Sequence, residues 1–338
     1  MRAAAEGFGI PLSDWLDLST GINPRAWPLP EVPACVWNRL PEADDGLESA
    51  AARYYSAEAP LPLAGSQAAI QALPRLRAPC RVGVPDVGYQ EHAHAWLCAG
   101  HEVVSLPGGD LDGHGDEGSG ELDCLVVINP NNPTGRRFSR ETLLGWHERL
   151  AARGGWLLVD EAFMDPTPAQ SLLDHAGRPG LIILRSLGKF FGLAGARVGF
   201  LFADERIRTL VEHRLGPWSL TGPSRWVAAR ALEDRAWQTE VQSELRAAAQ
   251  RLASLLTASG LRPSGGTPLF QWVQTGRAES IHKALAAQGI LTRLFAAPSS
   301  LRFGLPGDAS GWGRLEHALR CLDLPPEKGL PRSLVVAT

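Results

Sequence analysis

The sequence predicts an α/β protein, with a mostly parallel central sheet flanked by helices and a smaller α+β part. Three features of the 338 residues lead there. Short apolar runs recur that are continuous rather than alternating, as in a sheet covered on both faces. Each run halts at a polar cluster. A long helical pattern over residues 235–259 then gives way to a different texture of mixed strands and helices.

Taken in order, RVGVP (81–85) reads as a strand ending in a turn, and 89–99 as a helix. Residues 102–106 form a short strand, and the Gly/Asp-rich segment 107–120 a surface loop. LDCLVVI (122–128) is a buried strand that stops at NPNNPTG. Residues 140–153 follow as an amphipathic helix, with Leu143, Leu144, Trp146 and Leu150 on its apolar face. Residues 156–159 and 181–184 are further buried strands, stopping at Asp160-Glu161 and Arg185-Ser186. Beyond the long helix come a strand at 269–274, a helix at 278–288, and strands at 290–294 and 300–304. The change of texture places a large domain at 35–232 and a small one at 1–34 plus 233–338, whose last dozen residues read as a loose tail.

Composition narrows the function. The net charge of −3 offers no cationic face for nucleic acid or an anionic membrane. No stretch is long and apolar enough to span a bilayer, and the first residues lack a secretory apolar core. The five cysteines are scattered without a CxxC, which suits thiols in a reducing cytoplasm. Neither an HExxH nor a clustered ligand set points to a metal. A nucleotide-binding reading fails for want of GxGxxG or GxxxxGK[ST].

In an open α/β sheet, ligands bind beyond the carboxyl ends of the strands. Three strand ends offer Asn132, Asp160 and the pair Ser186 and Lys189, and lysine is scarce: the others are Lys283 and Lys328. Amine, carboxylate and amide together suit a protonated aromatic heterocycle bearing an aldehyde and a phenolic oxygen, the partnership of pyridoxal 5'-phosphate. LAGSQA (63–68) opens a helical stretch whose start suits an anion, and Ser186 and Arg197 add a hydroxyl and a guanidinium.

NPNNPTG (129–135), DEAFMD (160–165) and SLGKFFGLAGARVG (186–199), in that order and spacing, closely resemble the fold-type I pyridoxal-phosphate enzymes. More narrowly, they resemble the branch of histidinol-phosphate aminotransferases and threonine-phosphate decarboxylases. The resemblance implies Lys189 as the lysine that takes the cofactor aldehyde, Asp160 at the ring nitrogen and Asn132 at the ring oxygen. It implies Ser66, Gln67, Ser186 and Arg197 around the phosphate, and Tyr89 of PDVGYQEH stacked on the ring. Lys189, Asp160 and Tyr89 are thereby the catalytic candidates.

Within the branch, WLDLSTGINP (15–24) resembles the N-terminal segment of the decarboxylases of cobalamin biosynthesis. Phe163 stands where the aminotransferases usually carry a tyrosine. Arg302 resembles the arginine that holds the substrate carboxylate, and Arg293 the one that reads the substrate phosphate. Gly21 replaces the family's asparagine and leaves only backbone contact to substrate. Leu40 replaces a tyrosine that reaches the partner subunit. These matches imply decarboxylation of threonine phosphate to 1-amino-2-propanol O-2-phosphate by a homodimer. Histidinol-phosphate transamination is the alternative.

Overall fold

The computed structural model describes residues 1–109 and 121–322. Part of the predicted 107–120 loop and the predicted C-terminal tail, Lys328 included, lie outside the described residues. The strands are β1 (Leu16–Asp17), β2 (Leu61–Leu63), β3 (Arg81–Pro85), β4 (Glu102–Leu106), β5 (Cys124–Ile128), β6 (Trp156–Asp160) and β7 (Leu181–Ser186). They continue with β8 (Gly199–Phe202), β9 (Gly265–Thr267), β10 (Phe270–Gln274), β11 (Ile290–Leu291), β12 (Arg293–Phe295) and β13 (Ser300–Gly304).

Seven strands form the large sheet in the order β2-β8-β7-β6-β5-β3-β4. The β4-β3-β5-β6-β7 pairs are parallel, whereas β8 runs antiparallel to β7 and β2 antiparallel to β8. Side chains of the central strands alternate between two cores. Leu125, Val127, Leu157, Val159, Leu181 and Ile183 face one. Cys124, Val126, Leu158, Ile182 and Leu184 face the other. Both faces are therefore apolar, which is why the strands read as continuous runs.

The helix Arg140–Ala151 covers the first face. Ser139 caps it by accepting from Thr142 N, and Leu143, Trp146 and Leu150 are buried along one side. On the second face Ile70, Trp96, Ile207 and Val211, from three other helices, close the core.

A second sheet, β12-β13-β10-β9, is antiparallel throughout. The helix Arg235–Ala258 packs on it, burying Val241, Leu245, Leu252 and Leu256. Its apolar side chains belong to the same core cluster as the first face of the large sheet. The predicted strand 290–294 is two strands. Ile290–Leu291 pairs in parallel with β1, and Arg293–Phe295 pairs antiparallel with β13. The break falls at Thr292, whose hydroxyl meets His282 Nδ1 at 2.9 Å. No helix among the described residues is long and apolar enough to cross a membrane.

Candidate active site

The carboxyl ends of β5, β6 and β7 converge, and the sequence-predicted groups meet there. Ser66, Gln67, Tyr89 and Asn132 share one pocket of about 130 Å³ with Asp160, Phe163, Ser186, Lys189 and Arg197. Gly21, Arg293 and Arg302 line an adjoining cleft of about 570 Å³, which shares Tyr89, Asn132, Phe163 and Lys189 with the pocket.

Asp160 is the last residue of β6 and is 4% exposed. Its Oδ1 accepts from Ala162 N at 3.0 Å, a turn that an aspartate at a strand end favours. Its Oδ2 accepts from His92 Nε2 at 2.9 Å. His92, missed as a site residue from sequence, is buried and its Nδ1 has no partner. Its ring also meets Tyr89 edge-on, with centroids 6.2 Å apart.

Lys189 follows β7 through a turn in which Ser186 Oγ accepts from Gly188 N at 3.2 Å. Burial pushes its ammonium below the usual lysine range, and Arg302 and Arg197 add to the effect against Asp160. Its backbone is tied to the N-terminal segment. Asn23 N donates to Lys189 O at 3.0 Å, and Asn23 Nδ2 donates to Phe190 O at 2.8 Å. Asn23, 2% exposed, is a second residue that sequence reasoning did not single out, although it lies in the quoted motif.

Asn132 is half-buried, and its Oδ1 accepts from Arg302 Nη1. That bond turns the amide N–H₂ away from the arginine. Arg302 Nη2 donates to Ser19 O at 2.6 Å. Its pKa is lowered to about 10 by burial and by Arg293, with Asp17 opposing, so it remains charged at neutral pH. Arg293 is exposed at the cleft mouth.

Also lining the pocket, Gly65 has φ +77° and leads into the helix Ser66–Ala72. A Cβ there would stand 2.8 Å from an Arg197 Nη2, so the loop and the guanidinium lie in close contact. Tyr89 is 40% exposed. It donates to Gln67 Oε1 at 3.2 Å, and Gln67 Nε2 donates to Glu91 Oε2 at 2.8 Å. Burial, then Glu91 and Asp160, raise its phenol.

Phe163 is buried with its ring at 90° to Phe270, centroids 5.2 Å apart, and the Lys189 Nζ lies 5.5 Å from its centre. Behind this turn Arg185, 1% exposed, bridges Glu161 and Asp165. Burial raises both carboxyls and Arg185 opposes that rise. Breaking such a group by removing one partner is costly, so the turn carrying Asp160 and Phe163 has a rigid backing.

The fold and this strand-end cluster define an aminotransferase-type α/β protein: the aminotransferase class I and II model matches residues 37–318, and the chain belongs to that family. Within it, the chain is 55% identical to the threonine-phosphate decarboxylase of Pseudomonas aeruginosa over 319 residues, 94% of this chain and 95% of that one. It is 42% identical to the threonine-phosphate decarboxylase of a Sinorhizobium species over 334 residues, 96% of each. Among solved structures, histidinol-phosphate aminotransferase from Sinorhizobium meliloti in complex with pyridoxal-5'-phosphate superposes with a TM-score of 0.80. It covers 94% of both chains at 20% identity.

Proposed function

We propose that this protein is a pyridoxal-phosphate-dependent decarboxylase of L-threonine O-3-phosphate, releasing carbon dioxide and (R)-1-amino-2-propanol O-2-phosphate for cobalamin synthesis. The observation that carries the cofactor reading is the donor set of one pocket. A lysine held toward its neutral form shares the pocket with a buried carboxylate, two serine hydroxyls and a guanidinium. The pocket chemistry therefore fits an aldehyde-bearing pyridine with a phosphate arm.

Lys189 would take the aldehyde, Asp160 would hold the proton on the ring nitrogen, and Asn132 would donate its N–H₂ to the ring oxygen. Ser66, Gln67, Ser186 and Arg197 would hold the phosphate, and Tyr89 would cover the ring. When bound, pyridoxal phosphate would supply the electron sink for the pair released as a bond at the substrate α-carbon breaks.

The chain's own part is orientation and proton handling. His92 keeps Asp160 Oδ2 engaged, so the carboxylate is aimed and fixed. Arg302 grips the substrate α-carboxylate and thereby chooses the bond that aligns with the ring. Arg293, exposed across the cleft, meets the substrate phosphate. Phe163 offers no hydroxyl on its flank, which leaves Asn132 as the donor to the ring oxygen. Lys189 Nζ returns a proton to the α-carbon after carbon dioxide departs. Gly21 brings only backbone to the cleft.

In this reading residues 35–232 form the cofactor domain, and 1–34 with 233–338 the domain that closes over substrate. Leu29, Trp37 and Leu40 expose 62–67% of their surface, an apolar set that suits a second copy of the chain. We place this homodimer in the cytoplasm, in keeping with five free cysteines.

The test offers the cofactor-loaded protein phosphothreonine, or histidinol phosphate with 2-oxoglutarate, and identifies products by mass spectrometry. Carbon dioxide and the amino-propanol phosphate from the first substrate support the reading. Transfer of nitrogen to 2-oxoglutarate without carbon dioxide would overturn it in favour of the aminotransferase alternative.

A further inference from the structure

The far edge of the large sheet, where its strands begin, holds a second cleft of about 880 Å³. It lies at the opposite end of the strands from Asp160 and Lys189. Cys80, one residue before β3, lines it together with Arg77 and Trp156. The Arg77 guanidinium lies 4.7 Å over the Trp156 ring and donates to Gly154 O at 3.0 Å. Charges of both signs, Arg206 with Asp204 and Glu205, complete the wall.

Cys80 has the surroundings of a nucleophile. Its Sγ is 3.2 Å from His101 Nδ1. His101 Nε2 lies 2.7 Å from Pro74 O, which only accepts, so the ring proton resides on Nε2 and Nδ1 carries the lone pair. That lone pair also receives Cys80 N–H at 3.1 Å. Trp96 holds the ring edge-on at 4.7 Å. A thiol, a base within reach and a third group fixing the base make the arrangement of an activated nucleophile. The neighbouring Cys124 thiol, then His101 and Arg77, lower the Cys80 thiol to about 6 against the effect of burial. Cys124 itself is raised.

We propose that Cys80 is a thiol–disulfide exchange site, S-thiolated by small zwitterionic disulfides of the glutathione disulfide class that enter this cleft. The Cys80 thiolate attacks one sulfur, a new S–S bond forms, and the original S–S bond breaks. Cys80 is oxidised, and the departing half leaves as a thiolate that takes a proton from water. The walls suit such a compound because they present cations and carboxylates together.

Cys35 is exposed and serves as the internal reference, because Cys98 and Cys321 each lie against a histidine ring nitrogen. At pH 6 an ordinary thiol of pKa about 8.5 is about 0.3% thiolate. Cys80 is then about half ionised, and its lower intrinsic nucleophilicity trims the advantage to about tenfold.

The experiment incubates the full chain with glutathione disulfide at pH 6, quenches in acid and maps the adducts by peptide mass spectrometry. Cys80 should be thiolated about tenfold faster than Cys35, and the preference should vanish in urea. Equal rates in the folded chain would overturn the proposal, and this measurement needs no variant to fold. His101→Gln should slow Cys80 thiolation several-fold at pH 6; an unchanged rate would also reject the site as described.

Discussion

Replacing Gly65 by alanine tests the phosphate end of the pocket, because the structure separates two consequences of that one methyl group. Gly65 has φ +77° and ψ 160°, a backbone state nearly reserved for glycine, which costs a residue with a Cβ about 1–3 kcal/mol. The added Cβ would also stand 2.8 Å from Arg197 Nη2 and 3.3 Å from its Cζ. The guanidinium is the far end of a flexible side chain, so it swings away rather than forcing the loop apart. The first consequence falls on the fold, and the second on whatever anion Arg197 holds. One charge-assisted hydrogen bond is worth about 1.5–3 kcal/mol, or roughly 10- to 150-fold in Kd.

The assay is equilibrium titration of the apo variant with pyridoxal phosphate and, separately, with pyridoxal, which lacks the phosphate. Gly65→Ala should weaken the first by roughly 10- to 150-fold and leave the second unchanged. Gly46→Ala is the control. It too has positive φ, +91°, but its Cβ would meet nothing within 4 Å, so it should lower the urea midpoint without touching either affinity. If Gly65→Ala bound pyridoxal phosphate like the parent, or lost both ligands equally, Arg197 would not be the phosphate partner.

Lys189→Met should abolish activity yet make the apo protein more stable at neutral pH. The folded lysine titrates below the 10.5 of a free one, so its burial costs stability in full below its folded pKa. Between that value and 10.5 the unfolded chain holds the extra proton and stability rises with pH. The variant's advantage in urea unfolding should therefore shrink toward pH 10.5, and a pH-independent gap would contradict it. Gly21→Ala would put a Cβ 2.8 Å from Phe163 Cε1 and 3.0 Å from Phe270 Cδ1. Overpacking of that kind costs about 1–3 kcal/mol. Phe163→Leu in the same chain should recover most of it, whereas additive losses would show that the two residues do not compete for space.

The central strands were legible because covering both faces leaves no polar alternation: Cys124 and Val126 point one way, Leu125 and Val127 the other. The short strands were not. Leu61–Leu63 and Gly265–Thr267 are three residues each, too brief to carry a period, and Ile290–Leu291 exists as a strand only through its pairing with Leu16–Asp17. The charge at Arg185 predicts the end of a strand, since a charge normally marks an exit from the core. The strand instead runs on through Ser186, because Glu161 and Asp165 neutralise the arginine inside. Of the site, the lysine, aspartate and asparagine were legible from their strand-end motifs. His92 was not, because its partner Asp160 lies 68 positions away in the chain and nothing local separates it from a core histidine.

The same long-range ties give the site its geometry. Asn132 stands at the end of β5 in the large sheet, but the arginine that sets its amide is on β13 of the small one. That arginine also holds Ser19 O in the N-terminal segment. Four residues on, Asn23 clasps the backbone of Lys189 and Phe190 while its Oδ1 accepts from Arg25 N at 2.9 Å. Two sheets and one extended segment therefore share a single hydrogen-bonded junction, and none of the three can shift without moving a group that faces the pocket. A loose N-terminal segment would blur both the lysine and the amide at once. The GINP stretch accordingly acts in this protein as a strut between the large sheet and the small one, and its glycine is the point where the strut passes the Phe163 ring.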